Sequence, residues 1–334
     1  MVRLARDRGL WRPVLVLNPR SGSVQVVRDR LLEAAGRHGV EVREAATPAE
    51  LVAVARQAVA DGADALGVAG GDGSLAAVAA VAIDAGLPFV CVPAGTRNHF
   101  ARDLGLDRAD PAAAVEAFAA GPERRVDVAT AAERLFLNNA SIGVYAALVH
   151  EPSYRDDRLD AVDGVLEAML ERDVLPVRVS FRDGAGNAWD QVLVLFVSNN
   201  AYPLSGLGGR PRLDAGTLEV SALRRPDERQ SGWAHWTTTS FTVDAPGGTL
   251  EVGIDGEPAL LTTPLEFRIH AGALRVLLPP PRPPSARPPA PRPPARRRRL
   301  PLDQAQVQRL LHVWRLLDRI GHREFGPGRD RPGG

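Results

Sequence analysis

The residues Gly70-Gly71-Asp72-Gly73-Ser74 follow an apolar run from Ala63 to Ala69 and open a small-residue helical stretch from Leu75 to Ile83. Strand, glycine turn and helix N-terminus together offer backbone N–H groups to a phosphate, and the helix dipole favours its negative charge. Asp72 adds a constraint. A carboxylate pressed against phosphates is repelled unless a cation lies between them, so the pentapeptide reads as a site for a metal-bound nucleotide. Two more turns end strand candidates: Asn18-Pro19-Arg20-Ser21-Gly22 and Pro93-Ala94-Gly95-Thr96-Arg97-Asn98. Each supplies small residues, free amides and a hydroxyl or carboxamide. One such turn alone is open to a purely structural reading, but three at successive ends of parallel strands would lie side by side. They must hold phosphate without lysine, since all 41 Lys and Arg residues of the chain are arginine. That composition excludes a Walker lysine and a Schiff-base lysine.

The elements that must position these turns alternate between short apolar runs and helical periodicity. Val14 to Leu17 reads as a buried strand, and a helix from about Val24 to His38 follows, with Gly39 as its C-cap. Val40 to Glu44 is the next strand candidate. Thr47-Pro48-Ala49-Glu50 has an N-cap residue, an N1 proline and an N3 acid, which open a helix to about Ala60. Phe89 to Val92 ends at Pro93, and Pro111 starts one more helix. Alternating strands and helices predict a parallel sheet covered on both faces, with ligands at the carboxyl ends of the strands. This α/β domain is assigned to residues 10–124.

After Arg125 the rhythm becomes one of short strands: Leu135–Leu137, Val177–Phe181, Val192–Val197, Leu218–Leu223, Leu250–Ile254, Leu265–Ile269 and Leu274–Leu278. Turn signals at Asp183-Gly184, Gly247-Gly248 and Ala271-Gly272 separate several of them. The expectation is a mostly antiparallel, β-rich second domain over 125–278, with one helix between Leu159 and Leu170. A proline- and arginine-rich linker is expected at 279–299, ending in the run Arg296 to Arg299. An amphipathic helix is expected at 300–322, from the spacing of Val307, Leu310, Leu311, Trp314 and Leu317. Its two readings are a helix docked on the protein's own surface and a basic membrane-surface element.

The net charge of +1 combines this basic knot with a slightly acidic body, which argues against a nucleic-acid binder. The single cysteine, Cys91, lies in an apolar run and reads as a small buried hydrophobe, so no disulfide can form within the chain. With no signal-like segment and no long apolar run, the expectation is a cytoplasmic protein, with contact at the inner membrane surface as an extension.

Seven motifs in order resemble the lipid kinase family that includes the bacterial soluble diacylglycerol kinases and the eukaryotic diacylglycerol and sphingosine kinases. They are NPRSG (Asn18 to Gly22), GGDGS (Gly70 to Ser74), PAGTRNHFARDLGL (Pro93 to Leu106), FLNNASIGVYAALV (Phe136 to Val149), FVSNN (Phe196 to Asn200), RPRLDAGTLEV (Arg210 to Val220) and IDGEP (Ile254 to Pro258). The resemblance covers about Val14 to Leu278. It implies a nucleotide domain of NAD kinase/diacylglycerol kinase-like fold, a β-sandwich second domain and an acceptor lipid in a cleft between them. By resemblance, ATP would contact Asn18, Pro19, Arg20, Ser21, Gly22, Thr47, Gly70, Gly71, Asp72, Gly73, Ser74, Gly95, Thr96 and Asn98. Ser74 stands where the family has threonine and keeps the hydroxyl.

The resemblance makes Glu257 the general base for the acceptor hydroxyl, with Asp255 orienting it or holding a catalytic Mg²⁺ together with Asp72. Read from the residues alone, Asp255-Gly256 is also a favoured hairpin pair. Two departures stand out. Asp214-Ala215-Gly216 replaces an Asp-Asp-Gly whose second aspartate binds a structural Mg²⁺ in bacterial members, which leaves Asp214 as the remaining candidate ligand. His99 stands where aspartate is common and reads as a structural residue. The expected activity is ATP-dependent phosphorylation of diacylglycerol or a related lipid at a membrane surface, by a chain that could form a homodimer. The alternatives are a NAD kinase-like phosphotransferase and a non-catalytic nucleotide- or membrane-binding module.

Overall fold

The computed structural model describes residues 11–22, 24–143, 175–202, 210–224 and 232–280. The helix expected between Leu159 and Leu170, most of the linker and the C-terminal amphipathic helix lie outside the described residues. The chain forms two compact units. The first takes in residues up to Asn138 together with Gly209–Gly216 and Ile269–Arg292, and the second takes in Asn139–Gly208 and Thr217–Arg268.

In the first unit, β1 (Pro13–Leu17), α1 (Val24–Arg37), β2 (Glu41–Glu44), α2 (Pro48–Ala60), β3 (Ala65–Gly70), α3 (Asp72–Asp84) and β4 (Phe89–Pro93) alternate as the periodicity predicts. The strands β2, β1, β3 and β4 lie side by side and are parallel. Their residues divide by parity, as the two-residue period of a strand requires. Val14, Val16, Leu66, Val68, Phe89 and Cys91 pack with α2 and α3 residues such as Leu51, Ala55, Leu75 and Val78. Leu15, Leu17, Ala65, Ala69, Val90 and Val92 pack instead with Leu31 and Ala35 of α1 and with Val115 and Phe118. Both faces are therefore covered, which explains why these strands read as continuous apolar runs rather than alternating ones. The order β2-β1-β3 places the chain's reversal of direction between β1 and β3, where the loops after two neighbouring strands leave a crevice at the carboxyl edge.

The helix predicted from Pro111 is broken into α5 (Pro111–Ala114) and α6 (Ala117–Ala120), and a short helix α4 (His99–Asp103) that the periodicity did not reveal precedes them. The expected division at 124/125 falls at the start of a long strand, β5 (Glu123–Ala131), that continues in the first unit and pairs with β6 (Arg134–Phe136). Composition shifts at Arg125, but the buried Val126 and Val128 belong to the first unit's core, so the sheet continues past the shift.

The second unit is β-rich. A six-stranded sheet runs in the order β12 (Trp233–Thr238), β11 (Leu218–Leu223), β10 (Val194–Asn199), β7 (Asn139–Gly143), β14 (Thr249–Ile254) and β15 (Glu257–Thr262), every pair antiparallel. β8 (Val177–Arg182) and β9 (Ala188–Val192) form a separate antiparallel pair around the Asp183-Gly184 turn. Asp183 holds that turn by accepting the Ala185 and Asn187 amides, each at 2.9 Å. Phe181, Trp189, Trp236, Phe241 and Phe267 make a chain of ring contacts with centroids 5.1–6.4 Å apart.

The predicted turn at Ala271-Gly272 is a kink and not a reversal. Leu265 to Leu277 is one strand, β16, whose first residues pair with β13 (Ser240–Val243) and whose last pair in parallel with β4. Gly272 has a φ of 60° there, and its N–H is donated to Asp127 Oδ1 at 2.7 Å. A glycine that bends a strand and one that reverses it look alike in sequence.

Candidate active site

The three glycine turns meet at the carboxyl ends of β1, β3 and β4, and they meet backbone to backbone. A Cβ added to Gly95 would lie 2.3 Å from Gly71 Cα, and one added to Gly22 would lie 2.6 Å from the Gly95 carbonyl carbon. Gly22 also has a φ of 35°. No side chain fits between these loops, which is the physical reason for glycine at both positions.

Polar side chains complete the cradle. Asn18 donates Nδ2 to Ser74 Oγ at 2.9 Å and accepts the Arg20 N–H on Oδ1 at 3.0 Å, so one carboxamide shapes the first loop and ties it to the second. Asn98, with a φ of 53°, accepts the Gly95 amide on Oδ1 at 2.9 Å and donates Nδ2 to the Gly95 carbonyl at 2.7 Å, closing the third loop on itself.

Asp72, Gly73 and Ser74 belong to the first turn of α3 and not to a turn before it. Gly71 is the N-cap, and no side-chain hydrogen bond caps the helix. The first amides of a helix have no intrahelical acceptor, so this turn presents donors where a phosphate would sit. Asp72 is buried, and its oxygens accept the His99 and Phe100 amides, each at 3.2 Å, with His99 Nδ1 3.5 Å away. It caps α4 and locks the third loop to the second, while each oxygen keeps a further lone pair. His99 is thus a structural neighbour of Asp72. Thr47 Oγ1 accepts the Glu50 amide at 3.3 Å, and Glu50 accepts the Ala46 and Thr47 amides in return, which holds its carboxyl below the usual range. Thr96 and Arg20 are exposed at the loop tips, and Pro19 and Ser21 are half-buried. Under the loops, burial pushes the Cys91 thiol well above its ordinary value and the charge of Asp72 adds to it, so Cys91 is no nucleophile.

Asp255 and Glu257 lie in the second unit. Asp255 and Gly256 have φ values of 48° and 82° and form a two-residue hairpin between β14 and β15. Both the hairpin reading and the carboxylate reading therefore describe one feature, because such a turn can carry acids on a rigid support. The Asp255 N–H is donated to the Asn139 carbonyl at 2.9 Å, and Asp255 Oδ1 accepts the Asn139 N–H at 3.0 Å. Glu257 opens β15 and is exposed.

Among the described residues, Asp214 belongs to no group of three potential metal-ligating side chains. Asp214 is exposed and accepts the Arg212 guanidinium at 3.1 Å, and Ala215 brings no ligand atom in its side chain. The buried carboxylate beneath, Asp127, accepts Gly216 N–H at 2.6 Å and Gly272 N–H at 2.7 Å. This loop is held by a side chain in direct contact with amides. Among the described residues there is no group of three His, Cys, Asp or Glu able to hold a metal ion. A nucleotide-borne Mg²⁺ makes a smaller demand, since phosphates and water fill most of its positions and one or two carboxylates suffice. The lone pairs left on Asp72 meet that condition.

Sequence reasoning missed a second polar cluster. His235 Nδ1 lies 3.2 Å from Ser221 Oγ, and its Nε2 lies 3.5 Å from Glu219 Oε1 across the β11–β12 pair. Burial raises Glu219 above the ordinary carboxyl value against the opposing pull of the Tyr202 amide and His235. The signal was present in the strand alternation, but only the register of the β11–β12 pair brings these side chains together.

Residues 12–131 match the diacylglycerol kinase catalytic domain. The chain is 29% identical over 244 residues to a probable YegS-like lipid kinase of Pseudomonas fluorescens, covering 67% of this chain and 80% of that one. It is 28% identical over 231 residues to a YegS-like counterpart in Chromohalobacter salexigens, covering 65% and 72% of the two chains. A crystal structure of a diacylglycerol kinase from Bacillus anthracis str. Sterne superimposes with a TM-score of 0.58 at 18% identity, covering 80% of this chain and 97% of that one. A further structure from the same organism reaches 0.62 at 21% identity with the same coverage. These findings liken the chain to the diacylglycerol kinase-like lipid kinases, whose catalytic-domain model matches residues 12–131. Among the described residues, no helix is long and apolar enough to cross a membrane.

Proposed function

We propose that the protein transfers the γ-phosphoryl group of ATP to a hydroxyl of diacylglycerol or a related lipid, at a membrane surface that it contacts peripherally. The observation that carries this reading is the convergence of three glycine loops, at backbone contact, around the uncapped first turn of α3. Amides of Gly22, Gly73 and Ser74 would hold the phosphates, and Asn18 and Asn98 would keep the loops in shape. Glu257 would accept the proton of the lipid hydroxyl as its oxygen forms a bond to the γ-phosphorus. The bond from that phosphorus to the bridging oxygen breaks, and its electron pair leaves with ADP. Mg²⁺ bound with the nucleotide would neutralise phosphate charge, with Asp72 and Asp255 as its carboxylates.

The test is incubation of the purified protein with Mg-ATP and a total lipid extract, followed by mass spectrometry of the products. A new phosphomonoester of a neutral lipid is expected. Its formation should fall by about 10²- to 10⁴-fold in Glu257→Gln. Phosphorylation of NAD with no lipid product would overturn the lipid reading. Full activity in Glu257→Gln would overturn the assigned base.

A further inference from the structure

Three segments of the first unit, namely β5, the loop Gly209–Gly216 and the bend of β16, are drawn together by one residue. Asp127 donates its N–H to the Leu213 carbonyl at 2.6 Å, and its two carboxylate oxygens accept the Gly216 and Gly272 N–H groups by the bonds described above. Those two partners lie 89 and 145 residues away along the chain. Gly216 and Gly272, with φ values of 70° and 60°, both take the left-handed dihedral that glycine allows. Asp127 is 2% exposed, and Leu213 beside it is part of the buried core. Bonds from backbone N–H groups to a carboxylate are charge-assisted, and a low local dielectric strengthens them.

The sequence resemblance implies a structural Mg²⁺ at this loop, and the residues present do not fit one. Ala215 stands where the expected ligand would be and has no side-chain oxygen. Asp214 is turned to Arg212, which donates Nε to its carboxylate and Nη2 to its carbonyl at 3.3 Å. Neighbouring carbonyls are engaged as well: Leu213 by the Asp127 N–H, and Gly272 by Arg125 Nη1 at 3.2 Å. Mg²⁺ bound away from a nucleotide has no phosphates to fill its positions and must find oxygen ligands and negative charge in the protein. Here the buried carboxylate is taken up by amides. The guanidinium groups of Arg212 and Arg125 bring positive charge to the loop and to the bend, which opposes a further cation.

We propose that Asp127 braces this loop by direct bonds in place of a metal, so that the first unit holds Leu213–Gly216 against β5 and β16 with no divalent cation. On the reading proposed above, Mg²⁺ is then needed with the nucleotide alone.

The experiment uses the full chain without nucleotide, in EDTA and in Mg²⁺, for the wild type, Asp127→Asn and Asp127→Ala. It measures thermal unfolding and the amide hydrogen exchange of peptides containing residues 213–217 and 270–274. For the wild type, the melting temperature and the exchange of both segments are expected to be the same in EDTA and in Mg²⁺. Asp127→Ala leaves two interior N–H groups without their acceptor. Its melting temperature should fall by about 5 °C or more, and exchange in both segments should speed up, equally in EDTA and in Mg²⁺. Asp127→Asn keeps one acceptor oxygen, should show a smaller change of the same kind, and serves if Asp127→Ala does not fold. Wild-type exchange in these two segments that speeds up in EDTA and slows again in Mg²⁺ would place a metal at the loop and overturn the proposal. Exchange left unchanged by both substitutions would overturn it too. None of these readouts involves turnover, so a failure of the lipid kinase reading would leave them as stated.

Discussion

The nucleotide loops of the first unit and the carboxylate hairpin of the second are built on opposite principles. In the proposed reaction the working groups of the loops would be backbone amides, and the side chains that matter there are those that are missing: Gly22 and Gly95 let three chain segments touch. In the hairpin the working groups would be the carboxylates of Asp255 and Glu257, and the backbone is a stand whose left-handed turn is braced by Asn139. Donors that must surround a polyanion are supplied most densely by main chain, whereas a base needs a single carboxylate held still. The same residue type, glycine, therefore has different duties in the two places. In the loops it makes room, and in the hairpin it permits a dihedral angle.

Substituting glycine in each place would break or sharpen this contrast. Gly95→Ala carries the largest expected effect, because its methyl would strike Gly71 Cα with no rotamer to escape into. Overpacking of that kind costs about 1–3 kcal/mol, so ATP affinity measured by calorimetry should fall about 10- to 100-fold. Undiminished affinity would show that the loops do not act as one cradle. Gly256→Ala meets a dihedral penalty at a φ of 82°, about 1–2 kcal/mol, which should appear in thermal or denaturant unfolding. Its kcat should drop while ATP affinity stays at the wild-type value, and a loss of nucleotide binding would refute the separation of duties. The smallest effect is expected for Thr47→Ala, which removes the N-cap of α2 and should cost about 1 kcal/mol of stability. Because the Thr47 hydroxyl is engaged by the Glu50 amide, ATP affinity should change little. A large change would make Thr47 a nucleotide contact, as the family resemblance implies.

Much of this was legible in the chain. The Thr47–Glu50 capping box forms as its residues predict, α1 to α3 and β1 to β4 fall within a few residues of the periodic pattern, and Leu218–Leu223 is a strand over the expected span. Errors arose where distant partners decide. Gly272 bends β16 and does not end it because Asp127, 145 residues away, takes its N–H. The helix after Pro111 breaks in two although its composition is helical throughout. Asp72 offered a reading as a metal-side carboxylate, and the α4 amides add a structural duty that no local pattern announced.

By itself the sequence determined the order of strands and helices, the glycines at three strand ends, the absence of lysine from the phosphate site and the presence of an Asp-Gly-Glu turn. These follow from short-range physics: side-chain period, capping and allowed dihedral angles act within a few residues. Only the tertiary structure decided that Gly95 touches Gly71, that Asp127 occupies itself with amides beneath Ala215, and that Arg210 pairs with Asp103 in the interior. Such pairings depend on burial and on strand register, which bring together groups that the chain keeps far apart.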